Sequence, residues 1–169
     1  MSYTSLMDIV VTTGKGTGKT PLSAFDAALK DAGVHNYNLI ILSSIIPPKT
    51  TIKVQKYLTP KSEYGNRLYV VKAEIRSGKS GQYVGAAVGW HQLPDGRGVF
   101  VEHETVGETE AAVTAGLKSD VKHSVMDLCR SRKFPVNESK IKMAISVTEV
   151  KELPASALVL AVYKSERWT

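Results

Sequence analysis

Two adjacent hydroxyls stand where a dry strand would run. The stretch Asn36–Thr50, NYNLIILSSIIPPKT, carries Ser43 and Ser44 inside an apolar run from Leu39 to Ile46, and Pro47 and Pro48 close it. A buried hydroxyl without a partner costs about 1–3 kcal/mol. The pair is therefore either hydrogen-bonded filler or a site of chemistry. Glu102 is a second candidate. It follows Val99, Phe100 and Val101. A carboxyl in such an apolar setting favours its protonated form and can deliver that proton; a strand-end carboxylate facing water is the alternative. Asp26 stands four residues before Lys30, the spacing of an exposed helical ion pair. Asn38 lies six residues before Ser44, on the approach to the serine pair.

Other patterns carry less. TGKGTGKT, Thr13–Thr20, resembles a phosphate-cradling loop between a strand and a helix, but that pattern needs glycine at position 13, which is Thr13. Pro21 follows at once and removes a backbone N–H from the first helical turn, where phosphate would bind. Residues 14–19 are therefore expected to be a flexible connection. His35, His91, His103 and His123 have no metal-ligand spacing among themselves or with Cys129, so no metal is expected. Glu102 and Glu104 should share one face of a strand and His103 the other.

The elements that must carry these residues can be read from their punctuation. Residues 8–13 form a first strand. A helix follows, with Thr20 as N-cap, Pro21 at the first position and Gly33 as C-terminal cap. Leu22, Phe25 and Leu29 share its expected apolar face. Residues 37–42 make a strand that ends at the serines, and 51–58 another. Leu68–Arg76 alternates with period two. Residues 82–93 and 98–105 pair as a hairpin across PDGRG. Residues 107–134 hold the longest helix, with Leu117, Val121, Val125 and Leu128 as its stripe and the early Glu108 and Glu110 suited to its positive N-terminus. Residues 140–150 and 155–163 are the last strands, the second uniformly apolar and so more deeply buried.

At 169 residues, 43% hydrophobic and 22% charged, the chain fits one globular domain, 1–169, with no linker. No run approaches the about 20 apolar residues of a membrane span. The N-terminus MSYTSLMDIV lacks the pattern of a signal peptide, and a single cysteine excludes an internal disulfide framework. A soluble, cytoplasmic protein is expected. The net charge of +6 sits wholly in residues 49–79, which hold eight Lys/Arg against two Glu. Tyr57, Tyr64 and Tyr69 lie among them. Solvated strand faces explain this segment without a nucleic acid, and no nucleic-acid motif accompanies it.

TPLSAFDAAL, NYNLI, LSSIIPP and VFVEHE, in this order, resemble the pyruvoyl-dependent arginine decarboxylase family. The resemblance runs from about Val10 to the last strand. It implies a four-layer α/β/β/α sandwich. It implies self-cleavage between Ser43 and Ser44 into a small chain, 1–43, and a large chain, 44–169, with Ser44 becoming a covalent pyruvoyl group. That group would form a Schiff base with arginine and yield agmatine and carbon dioxide. Asn38 matches the family's oxyanion donor, Glu102 its proton donor, and Asp26 the carboxylate that pairs with the guanidinium. His35 stands where the family carries a smaller residue near the substrate, which bears on side-chain specificity. Family members assemble as trimers or pairs of trimers, with no nucleic acid or membrane involved. Other readings are the same chemistry on another amino acid, a basic binding protein that never cleaves, and a phosphate-binding module on Gly14–Thr20.

Overall fold

The computed structural model describes residues 4–169. The stretch read for a leader begins with residues 1–3, which lie outside the described residues. Among the described residues, nine strands and two α-helices follow one another as β1 (Met7–Thr17), α1 (Pro21–Ala32), β2 (Asn38–Ile41), β3 (Ile45–Ile46), β4 (Thr50–Val54), β5 (Arg67–Ser77), β6 (Tyr83–Gln92), β7 (Gly98–Gly107), α2 (Glu110–Ser131), β8 (Lys142–Glu149) and β9 (Ala155–Glu166). They form a five-stranded sheet in the order β2-β5-β9-β1-β4 and a four-stranded sheet in the order β3-β7-β6-β8. β1 runs parallel to β4, and β2 to β5; the other pairings are antiparallel.

The expected connection at residues 14–19 is largely strand. β1 continues to Thr17, and its Gly14 and Gly16 lie under α1. A Cβ on Gly14 would overlap the Ala28 carbonyl oxygen, and one on Gly16 would come within 2.5 Å of the Ala28 nitrogen. The glycines are there so that helix and sheet backbones can approach closely. This also changes the face of α1. Only small side chains fit that gap, so Ala24, Ala28 and Ala32 are buried there with Leu29 buried beside them, while Leu22 of the expected stripe is 69% exposed and Phe25 half-buried. The caps form as expected. Thr20 and Ser23 cap each other's backbone N–H groups at 3.1 and 3.0 Å, and Gly33 ends the helix in the left-handed region at φ 88°.

Three of the four apolar clusters among the described residues hold the layers together. α1 packs on the five-stranded sheet through Ala28, Leu29, Ala32, Leu68, Val70, Leu158 and Leu160. Ile9, Val11, Ile46, Val71, Ala73, Val88, Phe100, Val159 and Ala161 fill the space between the sheets. α2 buries Val113, Leu117, Val121, Val125 and Cys129 on the four-stranded sheet, with Leu128 at the margin. The strict four-residue spacing explains why Cys129, rather than Leu128, completes the buried row.

Two other expected strands are shorter in the structure. β2 stops at Ile41, although the Leu42 N–H still reaches the Val70 carbonyl at 2.8 Å. β4 stops at Val54, and the chain beyond it passes through a single 3-10 turn, Lys61–Glu63. The anchor there is Tyr37, whose hydroxyl donates to Glu63, while its ring meets Tyr57 edge-on at 6.1 Å. The β6–β7 hairpin forms as expected, and its register runs from Tyr83 opposite Gly107 to Gln92 opposite Gly98.

Candidate active site

The apolar run from Leu39 to Ile46 is divided between two sheets. β2 is an edge of the five-stranded sheet and β3 an edge of the four-stranded one. Ser43 and Ser44 are the crossover between them. This answers why hydroxyls interrupt a strand-like run: the chain must turn here to leave one sheet for the other. Ile46 then enters the core between the sheets, and Pro47 and Pro48 prevent β3 from continuing.

Four hydrogen bonds define the turn. Ser44 Oγ donates to Glu102 Oε1 at 2.5 Å, short enough for a charge-assisted O–H···O bond. The Ile45 N–H donates to the Ser43 carbonyl at 2.8 Å. The Phe100 N–H donates to the Ser44 carbonyl at 2.8 Å. The Tyr163 hydroxyl donates to the Ile45 carbonyl at 2.7 Å. Ser43 is exposed and Ser44 half-buried. β7 supplies Glu102, and strand alternation places it as expected. Glu102 and Glu104 face one way, with Glu104 Oε1 accepting from the Glu74 N–H at 3.2 Å; His103 faces α2, where its Nε2 bonds to Ser124 Oγ at 2.8 Å. Burial above all, and then the nearby Glu102 carboxylate, push the Tyr163 phenol well above the usual tyrosine range. It therefore remains a neutral donor.

The single chain unites Ser43, Ser44 and Glu102 and leaves the other candidates elsewhere. The Asn38 amide donates to the Gly65 carbonyl at 2.8 Å, at the far end of β2, and forms no hydrogen bond with either serine. Asp26 is exposed on α1 and makes no ion pair with Lys30 among the described residues. Its neighbour Phe25 carries the Arg76 guanidinium 4.2 Å and the Lys72 ammonium 5.2 Å from its ring centroid. His35 Nδ1 is buried without a hydrogen-bond partner. Tyr163 escaped sequence reasoning, and its one signal is the hydroxyl that ends the uniformly apolar stretch ASALVLAVY.

Four of the eight cations in the basic segment have an anionic partner among the described residues. Lys53 pairs with Asp8, Lys56 with Asp31, Arg67 with Glu166 and Arg76 with Glu74. No group of three or more His, Cys, Asp or Glu side chains suited to a metal occurs among the described residues. No helix among them is long and apolar enough to cross a membrane.

A mixed α/β fold of two sheets and two helices, with paired serines against a glutamate at the sheet crossover, defines the class. Residues 8–167 match the family described as pyruvoyl-dependent arginine decarboxylase (PvlArgDC), and the chain belongs to that family. Among curated relatives, the pyruvoyl-dependent arginine decarboxylase of Thermoplasma volcanium is 36% identical over 106 residues, 61% of this chain and 58% of the relative. That of Halobacterium salinarum is 36% identical over 107 residues, 62% of this chain and 66% of the relative. The protein of the same name from Methanococcoides burtonii is 33% identical over 112 residues, 65% of this chain and 61% of the relative. The chain thus spans about three fifths to two thirds of the length of these relatives.

Proposed function

We propose that this chain is the precursor of a pyruvoyl-dependent decarboxylase that converts L-arginine to agmatine and carbon dioxide. The observation that carries the reading is the 2.5 Å bond from Ser44 Oγ to Glu102 on the turn that presents the Ser43 carbonyl. A serine hydroxyl beside a carboxylate is a nucleophile beside its base. The Ser44 proton passes to Glu102 as Oγ attacks the Ser43 carbonyl carbon. The amide becomes an ester once the C–N bond breaks. Removal of the residue 44 α-proton expels the Ser43 carboxylate from Cβ. Water then replaces the nitrogen, which leaves as ammonia, and residue 44 ends as a pyruvoyl group. One domain, 1–169, becomes a small chain, 1–43, and a large chain, 44–169.

The residues around position 44 fit such a group. The Phe100 N–H holds the residue 44 carbonyl, and the Glu102 carboxyl stands beside the residue 44 side chain. Once formed, the pyruvoyl ketone supplies the electrophile for the substrate amine and the electron acceptor for loss of carbon dioxide. Glu102 then holds the proton that returns to the substrate α-carbon. Asp26 pairs with the guanidinium. Arginine as substrate is supported by the match to the family and by the names of the relatives. The order helix, sheet, sheet, helix, each contact with its own apolar cluster, supports the four-layer α/β/β/α sandwich.

Asn38 and Asp26 lie away from the serine turn in one chain, and Ser43 and Ile45 are open to solvent. A trimer, or a pair of trimers, in which neighbouring copies bring Asn38 and Asp26 to each other's turns would complete the site. The test is the mass of the purified chain under denaturing conditions together with carbon dioxide release from arginine, histidine, ornithine and aspartate. Two fragments divided at 43/44 and release from arginine alone are expected. Release from another amino acid instead would replace the substrate, and an uncut chain would remove the chemistry.

A further inference from the structure

The scissile carbonyl has a donor within its own chain. β3 is an edge strand, so successive residues turn their peptide groups alternately toward β7 and away from it. The Ser44 carbonyl faces β7 and is held by Phe100. The N–H and carbonyl of Ile45 face the open side, where an edge strand offers them no ladder partner. Both are nonetheless taken. The N–H bonds back to Ser43 O at 2.8 Å, closing a tight i to i+2 turn around Ser44, and the carbonyl bonds to the Tyr163 hydroxyl at 2.7 Å. Tyr163 reaches this point from β9, in the middle of the other sheet, with its ring set edge-on to Phe100 at 6.2 Å.

We propose that the Ile45 N–H is an oxyanion donor for self-cleavage and that Tyr163 is the positioning residue that keeps it aimed at Ser43. The inference rests on the self-cleavage reading above. As Ser44 Oγ bonds to the Ser43 carbonyl carbon, its proton goes to Glu102 and the carbonyl π pair moves onto Ser43 O, where the Ile45 N–H meets it. Collapse breaks the C–N bond. The departing nitrogen takes the proton back from Glu102, leaving an ester and a free amine on residue 44. Throughout, the peptide that bears the donor is held at the Ser44 carbonyl by the Phe100 N–H, and the phenol holds the next carbonyl, that of Ile45, so both sides of the Ile45 α-carbon are fixed. A donor aimed in advance at developing charge costs no reorganisation when the charge appears. Without the hydroxyl, the Ile45 carbonyl loses its partner, one side of the Ile45 α-carbon is no longer fixed, and the tight turn loosens.

The experiment follows cleavage of freshly synthesised full-length precursor by gel, comparing the parent, Tyr163→Phe and Tyr163→3,5-difluorotyrosine, whose phenol ionises at lower pH. Losing one oxyanion donor typically costs about 10²–10³ in rate, so losing its aim should slow Tyr163→Phe at least about tenfold. The fluorinated chain should cleave near the parental rate while its phenol is protonated and fall off as it ionises, a limb the parent lacks at the same pH. A ring that merely packs would give no such limb. Parental cleavage by Tyr163→Phe, or a fluorinated chain without the limb, overturns the inference and leaves self-cleavage standing. Should Tyr163→Phe fail to fold, the fluorinated chain decides alone. A parent that never cleaves overturns the underlying reading instead, and this inference with it.

Discussion

Replacing Glu102 by Gln would separate the two stages at which this residue is proposed to act. The substitution keeps the shape and a hydrogen-bonding oxygen for Ser44 Oγ, which now lies 2.5 Å from the carboxylate. The fold should survive, because Glu102 is half-buried and forms no ion pair among the described residues. What disappears is a group able to take the Ser44 proton. A positioned general base contributes about 10²–10⁴-fold, or about 2.7–5.5 kcal/mol of barrier. Cleavage of Glu102→Gln should therefore be slower than the parent by about two to four powers of ten. It should still reach completion on long incubation, since the turn and its backbone donors remain. The cleaved variant should then decarboxylate arginine poorly, because the proton needed at the α-carbon has no donor. Cleavage is read from a timed denaturing gel of newly made precursor, and turnover from carbon dioxide released by the fully cleaved fraction. Parental cleavage would show that Ser44 is activated by another group. Parental turnover after cleavage would remove Glu102 from the second stage.

Other outcomes follow from the same structure. Gly14→Ala places a methyl group against the Ala28 carbonyl and should cost about 1–3 kcal/mol, read as a lower melting temperature; an unchanged value would contradict the close packing of α1 on β1. Asp26→Asn should be cleaved like the parent but lose about 10–100-fold in kcat/KM for arginine, the equivalent of one charged hydrogen bond; unchanged kinetics would dismiss Asp26 as the guanidinium partner. Burial first, and the Glu63 bond second, raise the Tyr37 phenol far above its ordinary pKa. A raised value means that the folded chain holds this proton more tightly. The stability is therefore fully present below about pH 10 and lost as pH rises beyond it. Thermal melts should show the parent losing more stability above about pH 10 than Tyr37→Phe; equal losses would refute the coupling.

Where one residue type had one local purpose, the chain could be read directly. Thr20, Pro21 and Gly33 bound α1 because caps depend on a few neighbouring atoms. The alternation of Glu102, His103 and Glu104 survived because a strand's faces follow from its backbone. Gly14 and Gly16 misled because their purpose lies in a helix more than ten residues away. Local composition reads glycine as a loop, whereas here its missing side chain is what the packing requires. Leu22 misled for the same reason, since the face of α1 is chosen by the available space rather than by hydrophobicity alone. The serine pair and Glu102 were legible as residues, but their meeting depends on β3 crossing to the second sheet. Tyr163 and the Ile45 N–H were invisible, one because a terminal hydroxyl on an apolar strand looks like core margin, the other because backbone groups have no letter in a sequence.

The central claim is a broken bond between Ser43 and Ser44. Mass measurement of the denatured, purified chain tests it most directly, with the amino end of the larger fragment probed by a ketone-reactive hydrazide. Two fragments should appear, residues 1–43 with an ordinary carboxyl end and residues 44–169 labelled by the hydrazide, their summed mass exceeding that of the chain by one water less one ammonia. A single 18.4 kDa species that takes up no hydrazide and keeps serine at position 44 would contradict the account.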